Sequence, residues 1–219
     1  TKICSMEVAR TGLQERELQE LGWDYVSEAI ESRTKAGYFP GSGPIHVKLL
    51  AEKRTGKILG GQIVGETGSA KRIDVVAAAI MGGLTAEAVS ELDLGYAPPF
   101  STPIDPVQHT ANTLRNKLSG LAKTIIARDL KARVDAGEDL VLLDVRMPAQ
   151  FNAKHIEDER VMLVPLNELR QRIGEVPRDK EIVILCAMGT RAWEAQRILE
   201  EQGFTNVRFL EGGLAAWPY

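Results

Sequence analysis

The chain reads as two domains of different class: an α+β domain followed by an α/β domain whose parallel sheet is covered by helices on both faces. Three observations predict this. At 219 residues the chain is long enough for two ordinary cores. Up to about residue 118 strands and helices come in runs around a central hairpin. Beyond that point, apolar segments of four or five residues alternate with helical ones, and short wholly apolar strands belong to parallel sheets buried on both sides. The boundary falls near Asn116–Lys123 and divides the chain into domains 1–118 and 119–219.

In the first domain, Thr1–Arg10 alternates loosely and reads as one strand. Thr11 followed by Gln14 has the form of a capping box, which predicts a short helix to about Leu21. Trp23–Arg33 reads as extended, and Gly37–Pro44 is a cluster of turn residues. Ile45–Ala51 and Lys57–Val64 are predicted strands joined by a Gly-containing loop. Gly68–Met81 is helical, with Ile73, Val76, Ala77 and Ile80 on one face. Thr85 caps a second short helix to Leu92. Tyr96–Pro106 holds four prolines and must be irregular but stiff, and Asp105–Arg115 is helical again.

In the second domain, Ile125–Ala136 is an amphipathic helix ended by Gly137. Leu140–Asp144, Val161–Val164, Ile182–Leu185 and Val207–Leu210 are the predicted strands. Between them lie helices at Pro148–Ala153, Leu166–Ile173 and Thr190–Gln202, and a last helical turn spans Gly212–Trp217. Pro148 suits a first helical turn, where its missing N–H has no partner to lose.

Composition excludes several functions. The net charge is −3, and both halves are near balance: 12 basic against 14 acidic residues in 1–116, and 15 against 16 in 117–219. Such a chain has no basic field to hold nucleic acid or an anionic membrane. The longest apolar run, Val75–Met81, is far short of the ~18–20 residues of a membrane span. Two cysteines distant in sequence make no disulfide framework, which points to a reducing cytoplasm. No signal-peptide pattern and no metal-ligating cluster is expected, and opening on Thr1 suggests a piece of a longer chain. Gly60–Thr67 has the outline of a phosphate-binding loop, but Glu66 stands where the lysine must be. Gly61, Gly65 and Gly68 read instead as permitting a strand bend and a turn.

The residues that carry chemistry are Cys186-Ala187-Met188-Gly189-Thr190-Arg191. Cys186 ends a predicted parallel strand, where open sheets bind ligands, and a helix follows at once. Loop N–H groups and the positive end of the helix dipole favour a thiolate there. Gly189 lets the loop fold tightly into an anion nest, and Arg191 adds charge at its rim. The competing reading is a small buried cysteine that merely ends a strand.

The context resembles the rhodanese family. Asp144-Val-Arg146, Phe151, His155-Ile156, Val164-Pro165-Leu166, Cys186-x-x-Gly189-x-Arg191 and Glu211-Gly212-Gly213…Trp217 occur in that family's order, over nearly all of residues 121–219. The resemblance implies that Cys186 takes sulfane sulfur from a small-molecule donor as a persulfide and passes it to a thiol. Ala187, Met188, Gly189 and Thr190 would form the loop that cradles the persulfide. Phosphatases of the same fold have one more residue between cysteine and arginine, so four intervening residues favour sulfur over phosphate. The chain departs from the family at Lys154, which replaces a glycine, and at Glu157-Asp158-Glu159, which replaces Pro-Gly-Ala. His155 is therefore expected outside the chemistry, and Asp144 and Arg146 are expected to hold the fold.

The first domain resembles the C-terminal interface domain of flavin-dependent pyridine nucleotide–disulfide oxidoreductases, in the branch of coenzyme A-disulfide reductases and NADH oxidases. The resemblance rests on Thr11-Gly-Leu, Gly37-Tyr38, Thr55–Gly65, Lys71-Arg-Ile-Asp and Leu94-Gly-Tyr96-Ala-Pro-Pro-Phe-Ser. It implies a homodimer formed through this domain, with Tyr38 and Tyr96 reaching the partner's active site as hydrogen-bond or proton donors. It also implies upstream domains that bind FAD and NAD(P)H. No cofactor is expected to bind these residues themselves, because no Gly-x-Gly-x-x-Gly turn follows a strand. The function expected is the C-terminal part of a coenzyme A-disulfide or persulfide reductase fused to a sulfurtransferase domain. The alternative is a dimerisation platform joined to a catalytically silent rhodanese-like binding module.

Overall fold

The computed structural model describes residues 1–219, which divide into two compact units, Thr1–Leu121 and Ala122–Tyr219. In the first unit, β1 (Lys2–Ile3) and β2 (Met6–Gly12) form an antiparallel hairpin rather than one strand. The turn between them passes through Cys4 at φ 53°, the one non-glycine residue in the left-handed region. Helix α1 (Glu15–Glu20) is capped by Gln14, not Thr11. Thr11 pairs within the sheet opposite Gly61, and the Gln14 N–H donates to Glu17 Oε2 at 2.7 Å. Pairing with a distant strand takes Thr11 out of reach of the helix and moves the cap three residues on.

Strands β3 (Tyr25–Arg33), β4 (Pro44–Glu52) and β5 (Ile58–Gly65) complete a five-stranded antiparallel sheet of order β1-β2-β5-β4-β3. Gly61 and Gly65 sit in regular register; the single irregularity lies at Leu50/Ala51. Alternate residues of β4, Ile45, Val47, Leu49 and Ala51, enter the core with Ile63 of β5. Helices α2 (Ser69–Met81), α3 (Ala86–Ser90) and α4 (Pro106–Leu118) close that core with Val76, Ala79, Val89, Val107, Ala111 and Leu114. Each buried Val, Leu or Ile among them contributes about 1.5–3 kcal/mol. Of the expected stripe of α2, Val76 is buried in that core and Ile73 and Ile80 pack against it, while Ser69, Arg72 and Ala79 are buried beside them. Thr85 caps α3 as its sequence predicts, its side chain accepting from the Ala88 N–H at 3.1 Å.

The second unit adds β6 (Thr124–Ile125), α5 (Ala127–Asp135), β7 (Leu140–Asp144), α6 (Pro148–Ala153), β8 (Val161–Leu163), α7 (Leu166–Leu169), β9 (Glu181–Leu185), α8 (Thr190–Glu201) and β10 (Val207–Leu210). Its sheet is parallel throughout, in the order β6-β10-β9-β7-β8. Residues 124–125 form an edge strand on β10 instead of opening α5. Helix α7 stops at Leu169, and a separate 3-10 turn covers Ile173–Glu175. Alternation along the strands splits their residues between two clusters. Val141, Leu143, Ile182 and Ile184 pack with Ala192, Ala195, Ile198 and Leu199 of α8. Leu140, Leu142, Val183 and Leu185 pack with Leu130 of α5 and with Leu214 and Trp217.

Candidate functional site

Cys186 follows the last residue of β9, the central strand of the five, flanked on both sides by parallel neighbours. It belongs to the α8-side core cluster and is 1% exposed. The chain then turns through Ala187 and Met188 to Gly189, whose φ of 102° is closed to other residues without strain. That conformation aims the Gly189 N–H back at the cysteine, which it reaches at 3.0 Å from Sγ. Helix α8 starts at the next residue, so its positive end faces the same loop. Met188 projects at the surface, half exposed, and Thr190 is exposed.

The loop is held from behind by the segment after β10. Leu214 and Ala215 N–H groups donate to the Cys186 and Ala187 carbonyls at 2.8 and 3.0 Å. Gly213 lies so close that a β-carbon on it would stand 2.6 Å from the Ala187 carbonyl and the Met188 nitrogen. The Glu211-Gly212-Gly213 motif was visible in the sequence, but its contact with the cysteine loop is not local and could not be read there. Arg191 is half-buried and donates through Nη1 to Gln150 Oε1 of α6 at 3.0 Å. Gln150 carried no signal in the sequence.

Asp144 and Arg146 form a buried fork. Arg146 Nε donates to both Asp144 carboxylate oxygens at 3.0 Å, Nη2 donates to Oδ2 at 2.7 Å, and Nη2 also donates to the Lys154 carbonyl at 2.7 Å. With Asp144 fully buried, the pair ties the end of β7 to the end of α6. His155 is exposed, stacks on Phe151 at 4.2 Å between ring centroids, and places Nδ1 3.1 Å from the Phe151 carbonyl oxygen.

In the first unit, Tyr38 lies in the loop between β3 and β4, and Tyr96 in the proline-rich segment between α3 and α4. Fifty-eight positions apart in sequence, the two residues lie near enough for the Tyr38 phenol to act on that of Tyr96. Both rings are open to solvent, Tyr38 by 78% and Tyr96 by 47%. Partial burial first, then the neighbouring Tyr38 phenol by charge and hydrogen bond, raise the Tyr96 pKa above its ordinary value. His46 stands 3.6 Å from Glu31, and His109 lies on α4 with its pKa lowered by burial; neither joins the tyrosines in any hydrogen bond or ion pair. No group of three or more His, Cys, Asp or Glu side chains could hold a metal ion, and no helix is long and apolar enough to cross a membrane.

Flavin and nicotinamide dinucleotides need a glycine-rich turn between a parallel strand and a helix. The glycine-rich run 60–65 lies instead in the antiparallel strand β5 and is followed by Glu66. That run is therefore not the strand–turn–helix cradle of a dinucleotide.

Comparison with known proteins finds a match in each unit. Residues 1–106 match the pyridine nucleotide-disulphide oxidoreductase dimerisation domain, and residues 127–218 match the rhodanese-like domain. A NAD-dependent persulfide reductase from A. fulgidus superposes with a TM-score of 0.88 at 42% identity, over 99% of this chain and 38% of that one. The reduced CoADR-RHD of Bacillus anthracis gives 0.90 at 36% identity, again over 99% and 38%. A coenzyme A disulfide reductase of Staphylococcus epidermidis is 35% identical over 104 residues, 48% of this chain and 23% of the reductase. The chain thus spans well under half the length of these relatives. Residues 1–106 belong to the dimerisation domains of the pyridine nucleotide-disulphide oxidoreductases and residues 127–218 to the rhodanese-like domains, joined here in one chain.

Proposed function

We propose that this chain is the C-terminal part of a flavin- and NAD(P)H-dependent coenzyme A-disulfide or persulfide reductase, and that its second domain carries sulfane sulfur on Cys186. The observation that carries the reading is the Gly189 N–H aimed at Cys186 Sγ, at the carboxyl end of a parallel strand and the start of a helix. In the forward step the Cys186 thiolate attacks the outer sulfur of a donor R–S–S⁻. The donor's S–S bond breaks, R–S⁻ leaves with the bonding pair, and the enzyme keeps a persulfide. Loop N–H groups of residues 187–191 are suited to hold its negative outer sulfur, with Arg191 at the rim. A thiolate acceptor then attacks that outer sulfur, and the Cys186 thiolate leaves. No electrons are gained or lost overall, so this half needs no redox cofactor.

The first domain's proposed role is to form a homodimer and to present Tyr38 and Tyr96 to the partner's active site, where a phenol protonates or hydrogen-bonds a leaving thiolate. FAD, NAD(P)H and coenzyme A belong to the longer enzyme in this reading, and the reduction step falls outside these residues. The finer description of the second domain, a sheet covered by helices on both faces, is supported by the two clusters that share its strands.

One observation favours the alternative of a silent binding module: at 1% exposure, Cys186 admits a donor only if the loop yields. Labelling decides between the two. After treatment with inorganic polysulfide, peptide mass analysis is expected to find one added sulfur on the Cys186 peptide, removable by cyanide. A Cys4→Ser background removes the exposed second thiol from the count. If Cys186 gains no sulfur, and Cys186→Ser transfers sulfur as fast as the parent, the sulfurtransferase reading is wrong and the binding module stands.

A further inference from the structure

Neither tyrosine-bearing loop contains a helix or strand around its tyrosine, and neither phenol is held by burial. Their meeting must be set where the loops are rooted. The Tyr38 loop is closed at its base by Thr34, whose N–H donates to the Gly43 carbonyl at 2.9 Å and whose Oγ1 accepts from the Gly43 N–H at 3.1 Å. Next to Tyr96, the Ala97 carbonyl accepts from the Phe100 and Ser101 N–H groups at 2.9 and 3.2 Å, so that Ser101 ends the turn. Asp105 caps α4 four residues on, its Oδ1 accepting from the Val107 N–H at 2.9 Å.

One side chain touches both roots. Arg72 of α2 donates through Nη2 to the Thr34 carbonyl at 3.0 Å and to Ser101 Oγ at 3.3 Å. Its Nε donates to Asp105 Oδ2 at 2.8 Å, and Ser101 Oγ donates to the same oxygen at 2.9 Å. All four residues are at least nine-tenths buried. Gly68 makes room for the guanidinium, since a β-carbon there would stand 2.4 Å from Nη1. We propose that Arg72 is a positioning residue for the Tyr38–Tyr96 pair, one planar fork that sets the bases of both loops and so brings the two phenols together. A lysine could keep the charge beside Asp105, but its point-like ammonium cannot span three acceptors in fixed directions. The proposal rests on the reading of these phenols as donors to a leaving thiolate, yet its test does not involve turnover, so the two can fail separately.

The test is NMR of the 219-residue chain carrying ¹³Cζ-tyrosine, with Tyr96 assigned by Tyr96→Phe. In the parent, Tyr38→Phe is expected to lower the Tyr96 titration midpoint. In Arg72→Lys, which keeps Asp105 paired, the midpoint is expected to fall toward that of free tyrosine and to become insensitive to Tyr38→Phe. Ser101→Ala, which leaves the ion pair intact and cuts the hydroxyl link, is expected to lose part of the same coupling. A purely structural arginine would lower the unfolding temperature and leave the coupling alone. If folded Arg72→Lys and Ser101→Ala both keep the full response of Tyr96 to Tyr38→Phe, the positioning role is overturned.

Discussion

A methyl group on Gly213 has nowhere to go. It would meet the Ala187 carbonyl carbon and oxygen and the Met188 nitrogen at 2.6 Å, all backbone atoms, and φ at this residue is +64°. Gly213→Ala is therefore expected to push the cysteine loop outward and to cost roughly 1–3 kcal/mol of stability. Sulfur loading of Cys186 should fall at least about tenfold, since displacement of a reacting group by an ångström can cost more than that. Gly137 is the control: its φ is +69°, but a β-carbon there meets nothing within 4 Å. Gly137→Ala is expected to lose about 1 kcal/mol through backbone strain alone and to load sulfur at the parent rate. Denaturant midpoints and labelling rates of the two variants measure the difference, and equal labelling would show that the Gly213 contact does not shape the loop. The contrast also shows what was legible in the sequence at this scale. Cys186, Gly189 and Arg191 could be found because their spacing is local. The Gly213 buttress and the Arg72 fork could not, because each acquires its meaning from residues more than twenty-five positions away.

Opposite ends of β9 serve opposite purposes. The carboxyl end leads into the cysteine loop, while Glu181 at the amino end gathers Arg133 of α5 and Arg208 of β10. Arg133 Nη1 and Nη2 reach the two Glu181 oxygens at 3.1 and 2.8 Å. The hydrogen bonds from Arg133 foremost, and the charges of Arg133 and Arg208 after burial's opposing effect, lower the Glu181 pKa below its usual 4.5. A carboxylate whose folded pKa is depressed contributes stability above the unfolded value and loses it as pH falls through the folded one. The contribution is thus complete at neutral pH and decays from the ordinary carboxylate range downward. Arg133→Met is expected to lose about 1–2 kcal/mol at pH 7. Measured by urea unfolding, the deficit should shrink steadily below about pH 4.5; a deficit constant with pH would assign Arg133 to packing rather than charge. Elements such as β9 and α8 were legible because apolar runs and terminal glycines are local signals. The β1–β2 turn at Cys4, the cap at Gln14 and the edge strand β6 depend on pairing with distant strands, which residue patterns do not carry.

At the scale of the molecule, each of the two units carries its own apolar core. The proposed chemistry divides in the same place, with the paired tyrosines in residues 1–121 and the cysteine loop in 122–219. Under the proposed function, a single chain would raise the effective concentration of a persulfide-bearing domain beside the reductase that consumes it, without requiring new contacts. If that is why the domains are joined, the second should not need the first to fold or to load sulfur. Severing the chain between Leu121 and Ala122 is expected to leave residues 122–219 cooperatively folded, with Cys186 labelled by polysulfide within about twofold of the parent rate, as for independent sites. Residues 1–121, which include Tyr38, Phe100 and Ile104 as exposed apolar side chains, should retain whatever self-association the parent chain shows by sedimentation. Monomeric residues 122–219 beside associated residues 1–121 would place assembly in one domain and sulfur handling in the other. An isolated 122–219 that is folded but does not label would show instead that the cysteine loop opens only when the first domain is attached, which would make the linkage part of the sulfur-transfer step itself.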